Sequence, residues 1–127
     1  MRASNLDAID LIYDIVKGVS VNGGVYKLRR PVDSNKEDLV INALPLTNDL
    51  HQRGTCNINI HVPNIKFETK GSQPDTKRMN ELAHQVIELL TYHHGEDYNA
   101  YIENSQIIEQ ADETYYNIRI RLNLFNY

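Results

Sequence analysis

At 127 residues, 41% of them apolar, the chain is sized for one domain, residues 1–127, with a single and slightly lean core. A formal net charge of -4 argues against a dedicated nucleic-acid or membrane-surface protein, although a local arginine patch is compatible with it. The single cysteine, Cys56, excludes an internal disulfide framework and fits a reducing compartment, and no apolar run is long enough to span a membrane.

Met1 to Asp7 lacks the apolar stretch of a signal peptide, so the expectation is folding in the cytoplasm. Ser4-Asn5-Leu6-Asp7 reads as a capping box that opens a helix over roughly 5–17. Leu6, Ile9, Tyr13 and Val16 share one face, widened by Ala8, Leu11, Ile12 and Ile15. Lys17-Gly18 is expected to supply a cationic last turn and a left-handed stop. Asn22-Gly23-Gly24 is a turn signal, Val25–Arg30 a short strand ended by Pro31, and Asp33–Asp38 a polar loop. Leu39–Leu44, apolar except for Asn42, reads as a strand buried on nearly both faces. Thr47–Gly54 is expected to be a polar loop with Leu50 at its tip and Arg53 near its end.

Asn57-Ile58-Asn59-Ile60-His61-Val62 then alternates strictly. A strand sends successive side chains to opposite faces, so this run has one apolar and one polar face. It is expected to form an antiparallel hairpin with the Leu39 strand, with the Cys56 thiol buried at its start. Pro63–Gly71 reads as extended or irregular, and Ser72–Asp75 as a second capping box. A long helix over roughly 73–94 carries the stripe Met79, Leu82, Ala83, Val86, Ile87 and Leu90. Lys77, Arg78, Glu81, Gln85 and Glu88 lie off it, and Gly95 is a plausible stop. A strand near 98–108 and a turn at Gln110–Glu113 precede the second alternating run, Asn117–Leu124, in a strand near 114–124.

The order α-β-β-β-α-β-β predicts an α+β two-layer sandwich, both helices on one face of a mostly antiparallel sheet. The other face is unusual. Its alternating runs place Asn57, Asn59 and His61 beside Arg119, Arg121 and Asn123, with no lysine and no carboxylate. Solvent faces usually mix Lys, Glu and Thr. Arg, Asn and His offer planar, multi-donor hydrogen bonding suited to a protein interface or a phosphate backbone, with plain solvation as the alternative.

Catalytic and metal spacings fail. His84, His93 and His94 do not present two ligands to one point from a helix, and the expectation is no metal and no cofactor. Glu81, Glu88 and Glu103 imply no apolar pocket that would raise one carboxylate pKa. There is no Gly-x-Ser-x-Gly elbow and no phosphate loop, so no enzyme activity is expected.

The whole order of elements resembles the tail terminator and tail completion proteins of long-tailed phages. The resemblance is carried by the opening helix Asn5–Lys17, the short strand Val25–Pro31 and the apolar strand Asp38–Leu44 with its polar loop. It continues through Cys56–Pro63, the helical core Met79–Ala83 and Val86–Leu90, and the closing strand Tyr116–Leu122. A head–tail connector of the neck would share this order. The resemblance implies a structural, non-catalytic virion protein, prophage-encoded or phage-encoded. Several copies, often six as a hexamer, form a ring that caps the tail tube and joins it to the head. Its partners are then further copies of itself and the tail-tube and neck proteins, with DNA passing through the lumen without specific binding. It would be found in the host cytoplasm during assembly and then in the virion. On that reading Leu50, Arg53 and the Asn/Arg/His face are candidate contacts. An alternative of another class is a small ligand-binding or enzymatic α+β domain with a pocket between helix and sheet.

Overall fold

The computed structural model describes residues 2–47, 49–91 and 93–125. Helix α1 (Asn5–Val16) begins at a true capping box. The Asp7 N–H donates to Ser4 Oγ (3.1 Å), and the Ser4 N–H donates to Asp7 Oδ2 (2.8 Å). The buried stripe is Ala8, Ile9, Ile12 and Val16, and Leu6 is left 58% exposed. The expected left-handed stop at Gly18 is absent. Among the described residues those at positive φ are Leu28 and Gly71, and α1 ends with Lys17 still in right-handed geometry.

Seven strands follow: β1 (Val25–Lys27), β2 (Asp38–Ala43), β3 (Gln52–His61), β4 (Ile65–Phe67), β5 (Gly71–Gln73), β6 (Tyr98–Glu109) and β7 (Thr114–Leu124), with helix α2 (Thr76–Leu90) between β5 and β6. Five strands make one sheet in the order β1-β2-β3-β7-β6. Every pairing in it is antiparallel except β1 with β2. Both helices cover one face, as the α+β two-layer reading requires. Leu39, Ile41, Cys56, Ile58, Ile60, Ile118, Ile120, Leu122 and Leu124 meet Ile12 and Val16 of α1 and Leu82, Val86 and Leu90 of α2 in one core. Each fully buried Leu or Ile side chain contributes about 1.5–3 kcal/mol relative to exposure.

The parallel β1–β2 pair has a consequence for the opposite face. Parallel neighbours need a crossover, and here it is the loop from Leu28 to Glu37, without a helix. It starts at Leu28, held at φ 74°, where the Arg29 N–H donates to the Lys27 carbonyl across a tight three-residue turn (2.9 Å). A leucine there is strained. The turn throws Leu28–Val32 over the open face of the sheet. Gly23 lets this corner close, because a Cβ there would stand 2.0 Å from Asp38 Oδ1.

Three expected boundaries move. Thr47–Gly54 is not a loop throughout: β3 begins at Gln52, and the loop's Asn48 lies outside the described residues. The Gln52 side chain is buried because it bonds the N-terminal segment, accepting from the Ala3 N–H (2.8 Å) and donating to the Ala3 carbonyl (3.0 Å). Ser72–Asp75 is not a capping box. Ser72 and Gln73 belong to β5, and Asp75 alone caps α2, accepting from the Arg78 N–H (3.2 Å). Residues 63–71, expected to be extended or irregular, form most of the β4–β5 hairpin.

The second helix also ends early, at Leu90, so His93, His94 and Gly95 are not its last turn, and Tyr92 lies outside the described residues. Instead this segment lies along the start of β6. The Ala100 N–H donates to the His93 carbonyl (3.3 Å), the Gly95 N–H donates to the Tyr98 carbonyl (3.0 Å), and His93 stacks on Tyr98.

Candidate interaction face and sheet edge

The pairing register sets the polar face row by row. Asn57 lies opposite Arg119, Asn59 opposite Asn117, Thr55 opposite Arg121, Arg53 opposite Asn123 and His61 opposite Tyr115. The six face residues expected from the alternating runs therefore share one surface, and Arg53 joins them from within β3. Leu50 stands apart, 86% exposed in the turn before β3, beside an ion pair between Arg53 and Asp49 (3.2 Å).

The centre of the face is an asparagine network. Asn57 Nδ2 donates to Asn42 Oδ1 (3.1 Å). Asn117 Nδ2 reaches Asn59 Oδ1 (2.8 Å) and Asn57 Oδ1 (3.2 Å). Asn57 and Asn117 are buried by their neighbours although no element covers them. Asn117 Oδ1 and Arg119 Nε are also buried and find no partner among the described residues. Such atoms cost stability unless something outside the chain satisfies them. Farther along, Asn123 Nδ2 donates to Asn99 Oδ1 (2.8 Å), and Arg121 pairs with Glu103 (3.2 Å).

At the β1 end the crossover loop makes a charged wall. Asp38, fully buried, accepts from the Gly24 N–H (3.0 Å), Ser34 Oγ (2.5 Å) and Arg30 Nη1 (3.3 Å). Arg30 also faces Glu113 (3.7 Å), and Glu113 Oε1 lies 2.6 Å from His61 Nδ1. Burial, and then the Arg30 charge, hold His61 below its ordinary pKa, outweighing the pull of Glu113 and Asp38 in the other direction. The neutral imidazole therefore donates its Nδ1–H to Glu113. A hollow of about 410 Å³ opens here, lined by Arg30, Val40, Asn42, Asn59, His61 and Tyr115 among others. Sequence reading missed this wall: the β2–β3 register sets Asp38 opposite His61, and only the crossover of the parallel β1–β2 pair brings Arg30 over the face to meet them.

Two edges bound the sheet. The β1 edge is three residues long. The β6 edge is twelve, and its outer side is covered by His93–Gly95 only at its start, near Tyr98–Ala100. From Tyr101 to Glu109 the strand has no lysine and no proline, two of the guards of an open edge, and its charges are Glu103 and Glu109. Its one irregularity is a bulge between Ile102 and Asn104. Beside it, on the helix side, Met79, Ala83, Ile107 and Tyr116 line a mostly apolar groove of about 430 Å³.

The other sequence candidates scatter. His84 is exposed on α2, Glu81 pairs with Arg78 (3.2 Å), and Glu103 pairs with Arg121 on the opposite side of the sheet. Among the described residues no three His, Cys, Asp or Glu side chains gather as metal ligands do, and no helix is long and apolar enough to cross a membrane. Comparison with models of protein families and with curated proteins finds no match to the chain.

Proposed function

We propose that this chain is a structural assembly protein that associates head-to-tail with copies of itself. The ring so formed is of the kind that ends a phage tail tube and joins it to the head, with a neck connector as the neighbouring alternative. The observation that carries the reading is the β6 edge. A strand this long, open from Tyr101 to Glu109 and free of lysine and proline, is a template for pairing beyond its bulge, and a repeated contact around a closed rotation covers it without leaving a free end.

In this reading the asparagine-rich face looks toward the lumen or a neighbour. Its side chains bond one another, and Arg121 is already paired within the chain, so DNA would pass without being held. Leu50 and Arg53 reach a neighbouring subunit or the tail tube. The protein catalyses nothing and carries no cofactor.

Light scattering across a concentration series, with and without tail tube, tests the proposal. Asn104→Lys with Gln106→Lys puts two charges on the open edge, and Arg119→Ala with Arg121→Ala strips the face. Closed oligomers of one size are expected for wild type and their loss for the edge variant. A wild-type protein that stays monomeric and does not bind the tube would overturn it. One observation favours a small-ligand domain instead, the hollow beside Arg30 and neutral His61. A thermal-shift screen in which small anions raise the melting temperature of wild type but not of Arg30→Ala would support that second reading.

A further inference from the structure

The amides that border the hollow beside Arg30 have their oxygens tied and their nitrogens free. Asn117 Nδ2 donates to Asn59 Oδ1 (2.8 Å), and Asn57 Nδ2 donates to Asn42 Oδ1 (3.1 Å). Asn42 and Asn59 line the hollow, whereas Asn57 and Asn117, which bond them, do not. Each lining amide therefore spends its oxygen on the network and keeps an NH2 group with no partner among the described residues. Both nitrogens are open to solvent, because the sealed, unpartnered side-chain atoms of the described residues are Asn117 Oδ1 and Arg119 Nε.

Other donors meet them there. Arg30 gives one N–H to Asp38 (3.3 Å) and stands 3.7 Å from Glu113, too far for a hydrogen bond, so its remaining N–H groups are unspent. Arg29, exposed beside the strained Leu28, has no ion pair among the described residues. The side-chain acceptors on the same lining are fewer: Glu113 Oε2, the Nε2 of neutral His61 and the Gln110 amide oxygen. A donor-rich hollow suits an acceptor-rich guest, and charge narrows the choice. Arg29 and Arg30 are matched by Glu113 and by Asp38 buried behind it, so no net positive charge is left to hold a doubly charged phosphate. A carboxylate brings one charge and lone pairs in a single plane, which planar amide and guanidinium donors match.

We infer that the hollow is a binding site for a small organic acid, its carboxylate held by Asn42 Nδ2, Asn59 Nδ2 and the unspent N–H groups of Arg30. Val40 and the crossover residues Leu28 and Pro31 give the apolar body of such an acid a surface to lie on, and about 410 Å³ admits a molecule of metabolite size. The inference rests on the ligand-binding reading of this hollow and names its ligand class, and it holds for a monomer and a ring alike.

A nitrogen-15 NMR titration of the full chain tests it, following the side-chain amide signals of Asn42 and Asn59 assigned by triple-resonance spectra. The probes are propionate, its uncharged isostere propionamide, and inorganic phosphate, with sodium chloride holding ionic strength constant. Propionate is expected to shift both amides saturably, and the other two to bind about tenfold more weakly or worse. Asn42→Asp and Asn59→Asp each keep the oxygen that accepts from the network and replace only the free NH2. Each should keep a native spectrum and weaken propionate by about tenfold or more. Asn80→Asp, the same change at an exposed position of α2, should bind like wild type. Propionamide or phosphate binding as tightly as propionate would overturn the carboxylate assignment. So would propionate binding that leaves both amides unmoved. If other anions still stabilise the protein through Arg30 in that case, the ligand-binding reading stands and the site assigned here falls. If no anion acts on the hollow at all, both fall. Should an aspartate variant fail to fold, the wild-type titration decides alone.

Discussion

Arg78 and Glu37 form a two-pronged ion pair that locks the start of α2 to the loop entering β2. Nε to Oε2 is 2.7 Å and Nη2 to Oε1 is 3.0 Å, while Arg78 Nη2 also donates to the Ser20 carbonyl (2.7 Å). Glu37 is 8% exposed and further accepts from the Asn22 N–H (3.2 Å). A planar guanidinium matched to a carboxylate in this way is not replaceable by an ammonium.

Arg78→Ala is expected to cost about 2–3 kcal/mol, because a nearly buried carboxylate loses its partner, with some rescue from solvent at the exposed side of the pair. Arg78→Lys should recover only part of that. Urea unfolding followed by circular dichroism measures both. A loss under about 0.5 kcal/mol for Arg78→Ala would show that the clamp is merely a surface pair.

Stability should fall on mild acidification. His61 is held below its ordinary value of 6.5, chiefly by burial, so the unfolded chain takes the proton first. Stability is then unaffected above that value and declines as pH drops through it toward the folded pKa. Glu37 is held below 4.5, chiefly by its bond from Arg78. Its contribution is complete above the unfolded value and is lost as pH falls through the folded one. Both slopes have the same sign. Melting temperature measured across this range should show two successive declines, and His61→Gln should abolish the upper one. An unchanged upper decline in that variant would assign it to another group.

Ile120 and Arg121 are neighbours on opposite faces, and their substitutions should separate cleanly. Ile120 is fully buried between the helices and the sheet, so Ile120→Asp buries an unpaired charge at a cost on the order of 4 kcal/mol or more. Arg121→Ala loses a half-exposed pair with Glu103 and should cost less than about 1 kcal/mol. A cooperative melt unchanged by Ile120→Asp would refute the core assignment.

Cys56 should be silent in the native state. It is buried in β3 opposite Ile120, and burial pushes its thiol up to about 11. A chromogenic disulfide reagent is expected to titrate one thiol per chain in denaturant and almost none without it. Fast labelling of the native protein would mean that this part of the sheet opens.

The elements whose residues repeat at a fixed period were legible along the chain. Strict alternation in Asn57–Val62 and Asn117–Leu124 determined which side chains face the helices, because a pleated strand leaves no other choice. The Met79–Leu90 stripe determined the buried side of α2, and the Ser4–Asp7 box determined where α1 starts. These are interactions between residues close in sequence, or repeats that act through local geometry. Leu6 shows their limit: it shares a helical side with Ile9, Tyr13 and Val16, but the stripe that the sheet buries centres on Ala8, Ile9, Ile12 and Val16, and Leu6 stays exposed beside it.

Pairings between distant segments were decided only by tertiary structure. Nothing local in Val25–Lys27 says that it lies parallel to β2, yet that one pairing sends the crossover over the open face and carries Arg30 to Asp38, Glu113 and His61. Arg78 and Gln85 read as a solvated side of a helix. They are clamps because the α1–β1 connector passes beside them, placing Ser20 within bonding distance of both. The β4–β5 hairpin, its apolar pair Ile65 and Phe67, and the groove beside Ile107 have no periodic signature at all. Their exposure is set by what the rest of the chain leaves uncovered, a property of the folded surface that a linear pattern does not encode.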